Sequence, residues 1–148
     1  MEASLTVITD QLKRKGIRPS YQRIKVLDYM YRTAGHPTVE EIYSALAPDI
    51  PSLSKVTIYN TLHTFVEAGL IRVVEIDDAQ MRYDTTLDDH GHFLCSACGT
   101  IYNFPISVDP EAIAEMRGFK ILQKNVYFKG LCPNCANQPL ENQKEQNE

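Results

Sequence analysis

The apolar residues of the first 69 positions recur three or four positions apart, which is the spacing of amphipathic helices. Gly16 and Gly69 each follow one of these periodic segments and are typical of helix ends. Thr38 and Glu41 have the spacing of a capping box, which marks a helix start. Three of the predicted helices cover about residues 5–15, 19–33 and 39–47. A fourth begins at Ser52 or Ser54 and continues to residue 69.

From residue 70 the pattern changes to the alternation of β-strands. The segments LIRVVEI (70–76) and QMRYDTT (80–86) are joined by the turn-rich DDA, and together they predict a β-hairpin. Helices followed by such a hairpin form the winged helix-turn-helix layout, in which the helix before the wing enters a groove of DNA. The first half of the chain therefore predicts a DNA-binding domain.

The fourth helix carries a polar face, which is the predicted DNA-contacting surface. An ordinary solvated face is the alternative for this helix taken alone, but the hairpin that follows and the basic segment that precedes it favour DNA. The predicted outward residues are Lys55, Thr57, Tyr59, Asn60, Thr61 and His63. The predicted buried stripe is drawn from Val56, Ile58, Leu62, Phe65 and Val66.

The rest of the chain predicts a second, smaller unit. We expect a strand at TIYNFPI, a short helix near 110–117, and a second strand over FKILQKNVYFKGL that leads into CPNC. The tail is rich in Asn, Gln and Glu, which predicts disorder. The predicted fold class is α+β: a winged helix-turn-helix domain over 1–84, a hinge over 85–91, a small α/β domain over 92–136 and a disordered tail over 137–148.

Charge divides the chain in a similar way. The net charge of -4 argues mildly against an indiscriminate nucleic-acid binder, yet residues 1–69 carry a net +1 and residues 70–148 a net -5. The window 13–25 holds six basic residues and no acidic residue, which suits contacts to phosphates. The predicted DNA contacts from this window are Lys13, Arg14, Lys15, Arg18 and Arg23.

Length and hydropathy place the chain among globular proteins. A chain of 148 residues with 43% apolar composition can bury a substantial core. No run of eighteen or more apolar residues is present, and the first residues, MEASLTVITDQLKRKG, lack the apolar stretch of a signal peptide. We therefore expect a cytoplasmic protein without a membrane partner.

Four cysteines form two C-x-x-C pairs, Cys95 with Cys98 and Cys132 with Cys135. In a reducing compartment such pairs more often bind a metal than form structural disulfides. The thirty-three residues between the pairs are enough to fold back and bring all four thiols into one tetrahedral zinc site. A redox-active dithiol is the alternative, although it would typically use one exposed pair at a helix start.

His90 and His92 are separated by a single glycine. Side chains two positions apart face the same side of a strand, so both imidazoles could bind one ion. Isolated histidines are usually packed or solvated without any ligand, and the spacing alone leaves both interpretations open.

Taken together, these motifs resemble the ferric uptake regulator (Fur) superfamily. The resemblance covers nearly the whole chain, from GIRPSYQR and HPTVEEIY through SKVTIYNTL, RYD and HGHFLCSACG to GLCPNC. It implies a dimeric, metal-dependent transcription regulator rather than an enzyme. The implied architecture is a winged-helix domain, a hinge and a dimerisation domain with a four-cysteine structural Zn²⁺, and the implied partner is double-stranded operator DNA, as a pseudo-palindrome.

The resemblance also implies a regulatory Fe²⁺ or Mn²⁺ ion, with His36, Asp84, His90 and His92 as its ligands. The aspartate of RYD and the HGH motif are similar to the branch that senses hydrogen peroxide. In that branch the product of ferrous iron and peroxide oxidises a ligand histidine, for which His36 and His90 are the candidates here. The simpler alternatives are that His36 packs at a helix junction and that Asp84 caps a turn.

Asn103 departs from the family pattern, because relatives usually have a carboxylate there as a fifth ligand. An amide oxygen can coordinate a divalent ion but adds no charge, so the affinity should be lower. Alternatively, Asn103 does not bind and leaves an open position for ferrous chemistry. The segment QKNVYFKG also lacks a histidine that some relatives use for a further metal site.

Two other functions stay open at this point. Within the family, the chain could be an iron, manganese or zinc uptake regulator, because histidine and carboxylate ligands bind several divalent ions. From a different class, it could be a zinc-ribbon thiol oxidoreductase that uses Cys95 and Cys98 as a dithiol.

Overall fold

The computed structural model describes residues 5–33, 35–76, 80–87 and 89–137. Contacts divide the chain into two compact units, 1–87 and 88–148. The fold contains both helices and strands, which confirms the predicted α+β class. The predicted domain boundaries and the hinge over 85–91 stay predictions, and the predicted disordered tail lies, from 138 onward, outside the described residues.

Four helices form most of the first unit: α1 (Leu5–Arg14), α2 (Tyr21–Arg32), α3 (Val39–Leu46) and α4 (Lys55–Glu67). Their starts follow from side-chain caps, because the hydroxyls of Ser20, Thr38 and Ser54 each accept a backbone N–H three residues later. The predicted capping box between Thr38 and Glu41 is present in full. After α4, Gly69 adopts φ +77°, a left-handed conformation that ends the helix.

The core of the first unit lies between these helices. Residues Ile58, Leu62 and Phe65 of α4 are fully buried in it. Two predictions on this helix are wrong, because Thr61 is buried whereas Val56 is 69% exposed. Successive residues of a helix lie about 100° apart, so Thr61 falls on the face of Ile58 and Phe65, and Val56 falls on the opposite side.

A short antiparallel hairpin follows α4, formed by β1 (Arg72–Val74) and β2 (Arg82–Asp84). Val73 pairs with Tyr83, and Tyr83 is buried in the core of the helices. Each strand of the hairpin has three residues, whereas the predicted segments have seven, so the hairpin is shorter than predicted. The predicted turn at 77–79 lies outside the described residues.

The second unit contains a three-stranded sheet with the order β4-β3-β5. Its strands are β3 (His90–Cys95), β4 (Ile101–Pro105) and β5 (Tyr127–Gly130), and a short helix, α5 (Pro133–Ala136), follows. β4 runs antiparallel to β3, whereas β5 runs parallel to it. This arrangement places the C-terminal ends of β3 and β5 side by side.

Two predictions for the second unit are wrong in detail. The expected helix near 110–117 is two separate 3₁₀ turns, because Ile113 between them is extended, with φ -94° and ψ 113°. The expected strand over 119–131 is formed only over Tyr127–Gly130. The ladder with β3 begins where His92 meets Tyr127, so the upstream residues gain no strand pairing from it.

One face of this sheet carries aromatic side chains. Phe104 and Phe128 are stacked with ring centroids 5.2 Å apart, and Tyr102 and Phe128 are exposed. Together with Phe93 they line a groove of about 350 Å³. Among the described residues, no helix has the length and apolar character to span a membrane.

Candidate metal centres and nucleic-acid surface

The four cysteines converge in the second unit. Cys95 ends β3 and Cys98 lies in the turn after it, while Cys132 precedes α5 and Cys135 lies within it. All four Sγ atoms lie within 4.8 Å of one another, and those of Cys98 and Cys132 are 4.0 Å apart. A tetrahedral zinc ion with Zn–S bonds of about 2.3 Å requires sulfur atoms roughly 3.8 Å apart. The geometry and the soft donors therefore fit zinc, and two converging C-x-x-C pairs are more than a dithiol site needs.

Backbone N–H groups favour the thiolate form at Cys95 and Cys132. Burial alone would raise the pKa of the Cys95 thiol, but hydrogen bonds from the N–H groups of Cys98, Cys132 and Ala97 lower its pKa to about 6. The N–H groups of Cys98 and Cys132 lie 3.5 and 3.4 Å from its sulfur. The pKa of Cys132 is also lowered, chiefly by the N–H of Cys135 and, after the opposing effect of burial, by the Tyr102 hydroxyl. Anionic sulfur at these positions is the form that binds a metal.

His36 and Asp84 lie together in the first unit, although they are 48 positions apart in the sequence. His36 lies in the loop between α2 and α3, and Asp84 is the last residue of β2. Both side chains are buried, with Nε2 of His36 at 3.6 Å from Oδ2 of Asp84. The other carboxylate oxygen accepts the N–H of Thr86 over 2.9 Å, which fixes the direction of Oδ2. One imidazole nitrogen and one carboxylate oxygen thus face each other in this pair.

His90 and His92 lie on one face of β3 in the second unit, as the alternation predicts. Their Nε2 atoms are 3.1 Å apart and their rings are edge to face. Adjacent ligands of an octahedral ion with bonds of about 2.1 Å lie roughly 3 Å apart, so this separation suits two ligands of one ion. Asn103 is the β4 register partner of His92 and therefore lies on the same face of the sheet.

Four of the predicted DNA contacts line a cleft of about 510 Å³ in the first unit. It lies between the segment that leads into α2 and the helix α4. Of the predicted residues it includes Arg18, Arg23, Thr57 and Asn60. Gln22 and Thr64 line it too, which the charge pattern did not indicate because both are neutral.

The other predicted DNA contacts lie outside the cleft. Three of them are exposed at the end of α1, namely Lys13, Arg14 and Lys15. On α4, Tyr59 is 49% exposed, His63 lies 3.2 Å from Glu67, and Lys55 lies 2.8 Å from Glu40. The outward face of α4 is therefore polar and also contains the apolar Val56.

A family model described as the ferric uptake regulator family matches residues 14–129. The chain belongs to the ferric uptake regulator family. Members of this family are transcription regulators and not enzymes, and the resemblance inferred from the motifs is confirmed.

Individual relatives of this Fur-family protein agree with the family match. The peroxide operon regulator of Bacillus subtilis is 35% identical over 130 residues, which cover 86% of this chain and 90% of the relative. A solved structure of PerR from Streptococcus pyogenes, described as a structural basis for peroxide sensing and gene regulation, is 31% identical with a TM-score of 0.51. That match covers 89% of this chain and 92% of the solved chain.

The fold is also similar to that of Fur from Helicobacter pylori, a structure described as having three functional metal binding sites. The TM-score is 0.72 and the sequence identity 24%, over 93% of this chain and 97% of the solved chain. At that identity the similarity concerns the fold alone.

Proposed function

We propose that this Fur-family protein is a dimeric, metal-dependent transcriptional repressor that releases its operator DNA when hydrogen peroxide oxidises a ligand histidine. The observation that carries the proposal is the close approach of two pairs of side chains that can bind a metal, His36 with Asp84 and His90 with His92. The names of relatives at 31 to 35% identity support the peroxide signal.

The proposed metal content is one structural and one regulatory ion for each chain. Zn²⁺ would be held by the four cysteines, whose sulfur atoms all lie within 4.8 Å of one another. The regulatory ligands would be the two pairs just named, with Fe²⁺ or Mn²⁺ as the ion. Three neutral imidazoles and one carboxylate suit such divalent ions, and Asn103 could add a neutral oxygen.

The proposed coupling follows from the position of the ligands along the chain. His36 and Asp84 belong to the proposed winged-helix domain, whereas His90 and His92 follow it in the sequence. When all four side chains bind one ion, the two parts of the chain are held at a fixed distance and angle. The distance between the two α4 helices of a dimer is then fixed as well. Fixed spacing is what two half-sites about one helical turn apart require.

DNA binding would combine two kinds of contact. Basic residues at the end of α1 and in the cleft, such as Lys15, Arg18 and Arg23, would bind phosphates. The outward residues of α4, including Tyr59 and Asn60, would contact base edges in the major groove.

The aromatic face of the sheet in the second unit is the surface that we assign to the homodimer. A cytoplasmic location is part of the proposal.

The proposed release step is the oxidation of His36 or His90. A bound ferrous ion would supply the one-electron chemistry that activates peroxide. One molecule of hydrogen peroxide would give one oxygen atom to the imidazole ring and leave as water. The oxidised ring would be a poorer ligand, so the ion would lose one of its four protein ligands. The two α4 helices of the dimer would then no longer be held at the spacing that DNA binding requires.

A DNA-binding titration with and without peroxide tests the proposal. Operator sequences are first selected from random duplexes in the presence of Mn²⁺, and binding is then followed by fluorescence anisotropy with Fe²⁺, Mn²⁺ or Zn²⁺. We expect peroxide to abolish DNA binding of the iron form alone, with one oxygen atom added to the His36 or His90 peptide by mass spectrometry. Metal-dependent binding that peroxide leaves intact would contradict peroxide sensing and favour an uptake regulator instead.

A further inference from the structure

Arg82 of β2 contacts the loop that carries His36. Its Nη1 atom donates a hydrogen bond to the carbonyl oxygen of His36 over 3.0 Å. The same nitrogen lies 3.7 Å from Oε1 of Glu41, and only 20% of the Arg82 side chain is exposed. A largely buried cation therefore bridges the loop and the first turn of α3.

The loop is also held at the two residues that follow His36. The carbonyl of Pro37 accepts the N–H of Tyr83 over 3.1 Å. Oε2 of Glu41 accepts the N–H of Thr38 over 3.2 Å, so one carboxylate serves the capping box with one oxygen and faces Arg82 with the other. Residues 36, 37 and 38 are thus each fixed by a hydrogen bond from β2 or from α3.

Arg82 and Asp84 act on the same histidine. They are two positions apart on β2 and so face the same side of the strand. Arg82 binds the main chain of His36, and Asp84 lies 3.6 Å from its ring. A side chain whose backbone and ring are both held has little freedom left to lose when the ring binds an ion.

We propose that Arg82 is a positioning residue that orients His36 for the regulatory ion. This inference rests on the proposed function, because it takes His36 and Asp84 as ligands. Groups that hold metal ligands in place typically change metal affinity 10- to 100-fold. Because the hydrogen bond of Arg82 is to the main chain of His36, we expect the lower end of that range.

The test is a Mn²⁺ titration of the zinc-loaded full chain by calorimetry. Arg82→Met should weaken Mn²⁺ binding roughly 10-fold, and Arg82→Lys should recover part of the loss because an ammonium can still donate to the His36 carbonyl. Glu40→Gln is the matched control, since it breaks another ion pair of the same unit, the one with Lys55 at 2.8 Å. It should bind Mn²⁺ like the wild type.

Two further readouts separate positioning from a general role in stability. Saturating Mn²⁺ should restore full DNA affinity to Arg82→Met, because only capture of the ion is impaired. In the metal-free protein, hydrogen exchange of the Tyr83 N–H, which is bonded to Pro37, should accelerate. A lower melting temperature with unchanged Mn²⁺ affinity of the folded protein would overturn the inference.

His36→Ala, measured in parallel, distinguishes the two proposals. If His36→Ala loses Mn²⁺ binding while Arg82→Met keeps it, the positioning role is wrong and the proposed function stands. If His36→Ala itself binds Mn²⁺ normally, the proposed regulatory site is wrong. Should Arg82→Met not fold, Glu41→Gln replaces it, because glutamine keeps an oxygen for the capping box. A few-fold loss of affinity is then expected, and wild-type affinity would overturn the inference.

Discussion

Replacing Asn103 by aspartate should strengthen binding of the proposed regulatory ion. Asn103 is the register partner of His92, and such cross-strand partners have Cβ atoms about 4.5–5.5 Å apart. We take about 4 Å as the separation between a carboxylate at this position and an ion bound by His92, since the two side chains are cross-strand neighbours on one face. The substitution changes one charge and almost no volume, so it tests the electrostatics of the site directly.

The magnitude follows from Coulomb's law. Two unit charges 4 Å apart interact by about 1 kcal/mol in water, and the double charge of the ion raises this to about 2 kcal/mol. The value for water is a lower bound, because Asn103 is exposed but His92 is buried. Since 1.4 kcal/mol corresponds to a factor of ten, Asn103→Asp should bind Mn²⁺ at least roughly 30-fold more tightly.

Calorimetric titration of the zinc-loaded protein with Mn²⁺ at neutral pH measures the effect. Gln123→Glu is the control for added charge, because Gln123 is exposed and lies outside the three strands of the sheet. Asn103→Leu removes the amide oxygen and tests whether that oxygen itself binds. An affinity of Asn103→Asp within twofold of the wild type would refute the reasoning and show that residue 103 does not act on the ion.

Three further predictions concern the two units separately. Cys98→Ser should remove one zinc ligand and lower the zinc content of the purified protein well below one ion per chain, measured by atomic emission; retention of full zinc would exclude the four-sulfur site. Leu62→Ala leaves a cavity in the helical core and should lower the free energy of unfolding by about 2–5 kcal/mol in urea, where a loss below 1 kcal/mol would contradict the burial of Leu62. Thr38→Ala breaks the capping box and should cost about 1 kcal/mol in the same assay. Thr9→Ala, which removes a hydroxyl within α1 and no cap, is the comparison; equal, negligible losses would argue against the cap.

Local patterns in the sequence predicted the helices well because their causes are local. The capping box of Thr38 and Glu41 and the left-handed turn at Gly69 depend on residues only a few positions apart. Val56 and Thr61 were assigned to the wrong faces because their polarity, and not their angle around the helix, decided the assignment. The angle relative to Ile58 would have placed both correctly.

The candidate site was less accessible to sequence reasoning. The His90 and His92 pair follows from strand alternation, but no local spacing connects His36 with Asp84, and only the family resemblance brought them together. Arg82 was missed for a similar reason, since its hydrogen bond to the His36 carbonyl joins residues 46 positions apart. The sequence did contain one signal, because Arg82 is two positions before the candidate ligand Asp84 and so faces the same side of the strand.

Strand β3 carries the histidine pair near its start and a zinc-cluster cysteine at its end. His92 and Cys95 are three residues apart, which corresponds to about 10 Å along a strand. A chelator strong enough to strip the cysteine cluster would therefore also release the far end of the strand that presents the imidazoles. In a cell starved of zinc, a repressor of the proposed kind would release its operator without any histidine being oxidised, so loss of the structural ion would have the same outcome for gene expression as the oxidant itself.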